Sequence, residues 1–327
     1  MNYKILVVCL AVFLMVLSPT AGGIIYEGQA SQKREEVPFD KEELEEITVE
    51  LYITSTGEKV CMDIEEYVVG VMMAEVPYNY DAEALKAMAV AIRSYALRRV
   101  SRNEKSPVHL AAHLCDDYSH CMGYISFADA EKRWGKERTD VYYKTLEDAV
   151  NETEGEILRY GDCIADTVFH ASSGGFTESA QNVWGVEVPY LVSVPTPDKL
   201  PVSRRIFSSA EFCELLLDSV GTIELSGDAS EWIEKIEKDD KGRVSRIFIG
   251  GKVISGRRLR EIFDIDSTCF EVTCEDGNII FDTVGKGHGV GMSMAGADAF
   301  AKSGKDYRKI LEHYYPETEL TLFRENT

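Results

Sequence analysis

Apolar and polar residues alternate over residues 49–52 and again over 58–62, on either side of the turn-forming "STGE", which predicts a hairpin. The period then changes. Asp63 stands as an N-cap with Glu66 at the capping-box position, and Pro77 ends the helix that follows near Ala74. Asp81 caps a second helix, in which Leu85, Met88, Ala89, Ile92 and Ala96 keep the spacing of a core face. Residues 107–124 are loop-like. Helical patterns return over 140–153, 208–218, 256–263, 294–303 and 306–314. Strands are expected around the Tyr-Gly-Asp turn at 160–162, in "VSRIFIG" and "KVISG", and as a pair over 269–284. The fold class is α+β, with helices and antiparallel hairpins rather than βαβ units, arranged around a cleft. Residues 202–263 read as a subdomain or insert.

The N-terminus sets the compartment. Residues 5–17 form thirteen unbroken apolar positions, too few to span a bilayer, for which about 20 are needed. With the weakly apolar continuation the length suffices. Residues 1–26 therefore read as an uncleaved signal-anchor, a cleaved signal peptide being the alternative. Either way the rest is expected outside the cytoplasm. The polar residues 27–46 read as a flexible tether to a folded unit over 47–320. The 327-residue chain carries a net charge of −21, which argues against nucleic acid as a partner and leaves a neutral or weakly charged polymer such as a glycan. Of eight cysteines, Cys9 lies in the apolar segment. Cys61, Cys163, Cys213, Cys269 and Cys274 fall at element positions and read as small buried hydrophobes.

Candidate chemistry begins with Glu75. Ile64, Val68, Val71 and Glu75 are spaced i, i+4, i+7 and i+11, and eleven residues at about 100° each return to the same face. A carboxylate on that apolar stripe has its pKa raised, as a general acid working near neutral pH requires. The bland alternative is a frayed helix end with Glu75 turned to water. Arg93 and Tyr95, midway along the second helix, are groove candidates. Arg93 shares a face with Lys86, either as an exposed basic edge or as an edge approaching Glu75.

His109, His113, Cys115, His120 and Cys121 crowd into thirteen residues, a soft N/S donor set suited to zinc. Cys115, Cys121 and His120 are the surest ligands, with His109 or His113 as the fourth. A Cys115–Cys121 disulfide is the alternative. The loop "FHASSGGFTES" lacks a nucleophile elbow. It reads as a cleft lining in which Ser172, Ser173, Gly174 and Glu178 meet sugar hydroxyls. "GKGHGVGMSMAGA" lacks the ending of a phosphate loop. It reads as a backbone wall with a protonatable His288 at its lip and Ser293 either capping a helix or lining the cleft.

Together "EEYVVGVMMAEVP", "EALKAMAVAIRSYAL", "CDDYSHCMGY", "FHASSGGFTESAQNVWGVEVPYLVSV" and "GKGHGVGMSMAGADAFAKSG" resemble the stage II sporulation protein D family, in the family's order and over most of residues 65–316. Met88 and Met294 stand where many members carry Gln. The resemblance implies a peptidoglycan lytic transglycosylase of endospore engulfment, with Glu75, in the "AE-P" motif, as catalytic acid. It implies zinc on the Cys115–Cys121 loop, as in some members, and no organic cofactor. It also implies an anchor in the mother-cell membrane facing the intermembrane space, peptide-stripped glycan strands as substrate, and a partner amidase and membrane protein of the engulfment machinery. Opening the MurNAc–GlcNAc bond by the sugar's own C6 hydroxyl leaves 1,6-anhydro ends and removes the need for a second carboxylate, for which Asp116, Asp117 and Glu178 are candidates. The rival readings are a non-catalytic, glycan-binding amidase enhancer and a zinc-dependent cell-wall hydrolase.

Overall fold

Two helices at the start of the folded region fix the position of everything that follows. In a computed structural model that describes residues 47–198 and 202–323, α1 runs Ile64–Glu75 and α2 runs Ala82–Ser101. The expected anchor (1–26) and tether (27–46) lie outside the described residues. Among the described residues no helix is long and apolar enough to cross a membrane. Asp63 caps α1 as expected, but its carboxylate accepts from Glu65 N at 2.7 Å, one residue short of the capping-box donor. Asp81 caps α2 by accepting from Glu83 N at 3.0 Å.

The expected core face of α2 is buried, and so is nearly everything else from Ala84 to Arg98. Five alanines in this stretch are small enough for neighbours to press against every side. Those neighbours are α1, the helices Lys136–Glu152, Met294–Lys302 and Tyr307–Tyr314, and the strand Glu156–Tyr160. A helix enclosed on all sides can hold a polar side chain only with its partners supplied. Arg93, fully buried, meets that condition. Its Nη2 lies 2.6 Å from Glu65 Oε2, its Nε donates to Glu65 Oε1 at 2.8 Å, and Nη1 donates to Glu156 O at 3.0 Å. This is a correction to the sequence reading: Arg93 is neither an exposed edge nor a groove residue. Lys86, also expected on that edge, pairs with Glu83 and Glu152.

The predicted hairpin is β1 (Thr48–Ile53) and β2 (Glu58–Asp63), paired antiparallel. β3 (Leu114–Cys115) joins the other edge of β1 in parallel, with Leu51 opposite Leu114 and Tyr52 opposite Cys115. A second parallel pair sets Met292–Ser293 beside Phe169–His170. The expectation of antiparallel hairpins alone thus fails at two short junctions, both of which place candidate residues. A one- or two-residue pairing leaves no alternation in sequence to read.

A second apolar core is built on Phe212, Phe263, Phe270 and Phe281, whose rings contact one another. It joins the strands Val202–Ser208, Asn278–Val284 and Phe270–Glu275 in one sheet and Lys252–Ser255, Val244–Ile249 and Ile233–Lys238 in another. The second core therefore extends past residue 263, into the hairpin expected to stand apart from it. Cys163 is buried, whereas Cys61 is exposed on the edge strand β2, against the reading of it as a buried hydrophobe.

Candidate functional site

Glu75 is the last residue of α1, half-buried, with Val76 buried beside it. Its Oε1 accepts a hydrogen bond from Gly123 N at 2.6 Å. Burial raises the pKa of the carboxyl group, and the Gly123 N–H pulls partly the other way by favouring the anion. The net effect is a carboxyl group whose pKa is raised from its ordinary value while it is held in one orientation. Gly123 is fitted to this contact: a Cβ at residue 123 would sit 2.8 Å from Glu75 Oε1. Gly123→Ala is therefore expected to displace the carboxylate and lower any chemistry at Glu75 by about 10²-fold. The check is the rate of any reaction that Glu75→Gln abolishes, at an unchanged melting temperature; a loss under threefold would show that the contact does not position the acid.

Gly123 lies two residues beyond Cys121, on the loop that gathers the metal-type donors. His109 Nε2 lies 2.8 Å from His120 Nδ1, His120 Nδ1 lies 3.4 Å from Cys121 Sγ and 3.8 Å from Cys115 Sγ, and Cys121 Sγ lies 3.6 Å from His109 Nε2. All four donor atoms fall within 4.8 Å of one another. Tetrahedral N₂S₂ coordination at ordinary bond lengths separates donors by about 3.3–3.8 Å, so the residues fit such a site once the His–His pair opens slightly and the widest pair, at up to 4.8 Å, closes. The parallel pairing of β3 with β1 fixes Cys115, and His109 is held by a short 3-10 turn, Pro107–His109. His109 Nδ1 faces Ala112 O at 3.4 Å, the kind of outer contact that orients a ligating imidazole. Of the two fourth-ligand candidates it is His109 that joins the cluster. His113 is turned the other way, its Nδ1 accepting from Glu50 N at 3.2 Å. Cys115 and Cys121 are free thiols. Tyr95 is buried under the Arg99 guanidinium and lines the recess shared by His109, His120 and Cys121, so it belongs to this loop and not to the glycine-rich wall.

The three candidates for a second carboxylate are committed elsewhere. Asp116 Oδ1 accepts from Thr54 N at 2.9 Å, and Asp117 Oδ1 accepts from Ser119 N at 2.8 Å. Glu178 is buried beside Arg243, with Oε1 3.4 Å from Arg243 Nε.

The serine- and glycine-rich loops do come together, but mostly inward. Ser172, Ser173, Glu178 and Ser293 are all buried. Asp198, which the sequence reading missed, organises them by accepting from Ser173 N at 2.6 Å and from Ser293 Oγ at 2.9 Å. Ser173 Oγ meets His170 Nε2 at 2.6 Å, and Ser293 also accepts from Gly296 N as the expected N-cap. These hydroxyls shape the wall instead of facing a ligand. Gly174 and His288 are half-buried. His288 differs from expectation in charge: burial and the nearby Arg260 push its imidazole down to about 4, so it is neutral at neutral pH. Its Nδ1 accepts from Val290 N at 3.0 Å, which leaves the proton on Nε2.

The wall and the acid are linked through Asp81, six residues after Glu75, whose N–H donates to Asp298 of the helix that Ser293 caps, at 2.9 Å.

The profile of the "stage II sporulation protein" family matches residues 52–160, which hold Glu75 and the whole Cys/His loop. Stage II sporulation protein D of Bacillus subtilis is 34% identical over 280 residues, covering 84% of this chain and 79% of that protein. An uncharacterised protein of Brachyspira hyodysenteriae is 33% identical over 259 residues, covering 78% of this chain and 65% of its own length. A protein of Bacillus subtilis named amidase enhancer is 25% identical over 307 residues, covering 78% of this chain and 40% of that one. With identity of that order over most of both partners, and with the acid and the donor cluster inside the matched stretch, the chain belongs to the stage II sporulation protein D family.

Proposed function

We propose that the chain is a peptidoglycan lytic transglycosylase acting on peptide-stripped glycan strands in endospore engulfment, with Glu75 as its single acid. The observation that carries the reading is the raised pKa of Glu75 in its fixed contact with Gly123. A protonated Glu75 gives its proton to the glycosidic oxygen as the MurNAc–GlcNAc bond breaks. The resulting carboxylate then takes the proton of the C6 hydroxyl as that oxygen bonds to C1, closing the 1,6-anhydro ring. No water enters the products, so no second carboxylate is needed to activate one, in keeping with the commitments of Asp116, Asp117 and Glu178.

Zinc is the proposed occupant of His109, Cys115, His120 and Cys121, where it would supply a structural tether for the loop that carries Gly123. Four protein donors fill a tetrahedron and leave no position for a reactive water, which speaks against the zinc-hydrolase reading. Chelation is accordingly expected to lower Tm and to abolish cleavage only as the loop loosens. A time course with a chelator, read by melting and by product release, checks this; instant loss of turnover at unchanged Tm would favour a catalytic metal. Residues 1–26 would hold the chain at the membrane with the folded unit outside the cytoplasm, beside a partner amidase and a membrane protein of the engulfment machinery.

The reading is tested by mass spectrometry of the products formed when the full chain, in mild detergent, meets peptide-free strands. Anhydro ends, one water lighter than hydrolysis products, are expected. Hydrated ends would mean a hydrolase. Strands bound but left whole, with an amidase stimulated, would favour the enhancer activity named for the more distant relative.

A further inference from the structure

Tyr78 lies three residues beyond Glu75, on the link between α1 and α2, and is 37% exposed. Its ring stacks on Tyr142 with centroids 3.7 Å apart and planes 19° from parallel. Neither ring belongs to either apolar core. Trp134 extends the row, 5.6 Å from Tyr142, at the end of the helix Phe127–Trp134. Tyr78 is exposed, while Tyr142 and Trp134 are half-buried, Trp134 with part of its ring against the first core. Aromatic surface left in water is unfavourable, and what remains of it here, three residues along the chain from a candidate acid, marks a place where something covers it.

Charge indicates what that is. On a chain of net charge −21, this edge carries Arg133 near the Trp134 ring and Arg138 over the Tyr142 ring, at 6.0 and 5.0 Å. Among the described residues neither guanidinium has a carboxylate within 4.0 Å, whereas the neighbouring Lys132 and Lys136 are paired with Asp129 and Asp140. Arg138 Nε donates to Tyr142 Oη at 2.6 Å, holding the ring in place.

We infer that Tyr78, braced by Tyr142 and Trp134, forms a subsite where a pyranose ring of the glycan strand packs on the face of Tyr78 that Tyr142 does not cover, on one side of the scissile bond, with Arg133 and Arg138 meeting the strand's carboxylates. The C–H faces of pyranose rings are apolar and match aromatic rings, while their rims carry hydroxyls. A strand whose stem peptides have been removed exposes a free carboxylate on each lactyl ether, and two guanidiniums that no carboxylate among the described residues pairs, on a chain of net negative charge, complement that charge. The subsite rests on the glycan-cleaving reading above.

The test uses the full chain with Glu75→Gln, so that strands survive, and measures pelleting with purified peptide-free glycan. Adding Tyr78→Ala is expected to weaken binding about three- to tenfold, Trp134→Ala by a similar factor, and Tyr78→Phe by less than twofold. Far-UV circular dichroism confirms that each variant is folded; Tyr78, on an exposed link, is the safer site. Binding within twofold of the parent for both alanine variants overturns the subsite. So does loss of binding to a purified amidase with glycan binding intact, since the row would then be a protein-docking surface. Continued release of anhydro ends by the Glu75→Gln chain would overturn the role of Glu75 as acid and leave the binding comparison to be read separately.

Discussion

Glu75→Gln is expected to reduce the formation of anhydro ends by about 10²–10⁴-fold, the range for loss of a general acid, while strand binding persists. Glutamine keeps the shape and still accepts from Gly123 N, so neither the helix end nor the loop should move. Only the transferable proton is lost. Retention of more than a tenth of the rate would remove Glu75 from the chemistry. The pH profile gives a second check with a definite sign. The active form is the protonated acid, so turnover holds below the Glu75 pKa and falls as pH rises through it. Because burial raises that pKa, the fall should lie above the ordinary carboxylate value of about 4.3. A fall at that ordinary value would mean that water reaches the carboxyl group freely.

The second large effect concerns stability. Glu65→Ala leaves the fully buried guanidinium of Arg93 without its counter-charge and is expected to cost about 3–5 kcal/mol. For a folded region of this size that lowers Tm by on the order of 10 °C. The lower end is favoured because Glu65 itself is about one-fifth exposed, so water can reach the gap. Thermal melting decides; a drop under 2 °C would mean that the carbonyls of Glu156 and Val150 suffice to hold Arg93. Glu65 and Glu75 stand at opposite ends of α1, about 15 Å apart along the helix axis. The two substitutions therefore separate a structural carboxylate from the proposed acid.

That separation could not be read from periodicity. Helix spacing aligned Glu75 with Ile64, Val68 and Val71, which are buried, and Glu75 itself is half-buried; Tyr67 to Met73 are all buried as well, so burial does not single out that stripe. The spacing failed for Arg93 because α2 is enclosed on every side, and a helix without a solvent face has no polar stripe to interpret. Caps were legible because they are local: Asp63, Asp81 and Ser293 all serve as N-caps. The donor cluster was legible through the scarcity of histidine and its crowding, but the choice of His109 over His113 depends on β3 lying parallel to β1, a pairing across more than sixty residues. Gly123, Asp198 and Arg243 were missed for the same reason. Each acts on a partner distant in sequence, and a lone Gly, Asp or Arg carries no local signature of such a partner.

Arg243 has one further effect. It leads into a strand of the second core, yet its Nη2 donates to Ser173 O at 2.7 Å and its Nε pairs with buried Glu178, both in the serine- and glycine-rich wall. Gly289 presses against the same guanidinium, where a Cβ would come within 2.8 Å of Nη2. Pulling the second core away would strand Glu178 without its cation and open the loop that Gly289 closes. The two cores are thus joined in their unfolding: melting of either exposes buried charge in the other, and the chain should lose both in one cooperative step.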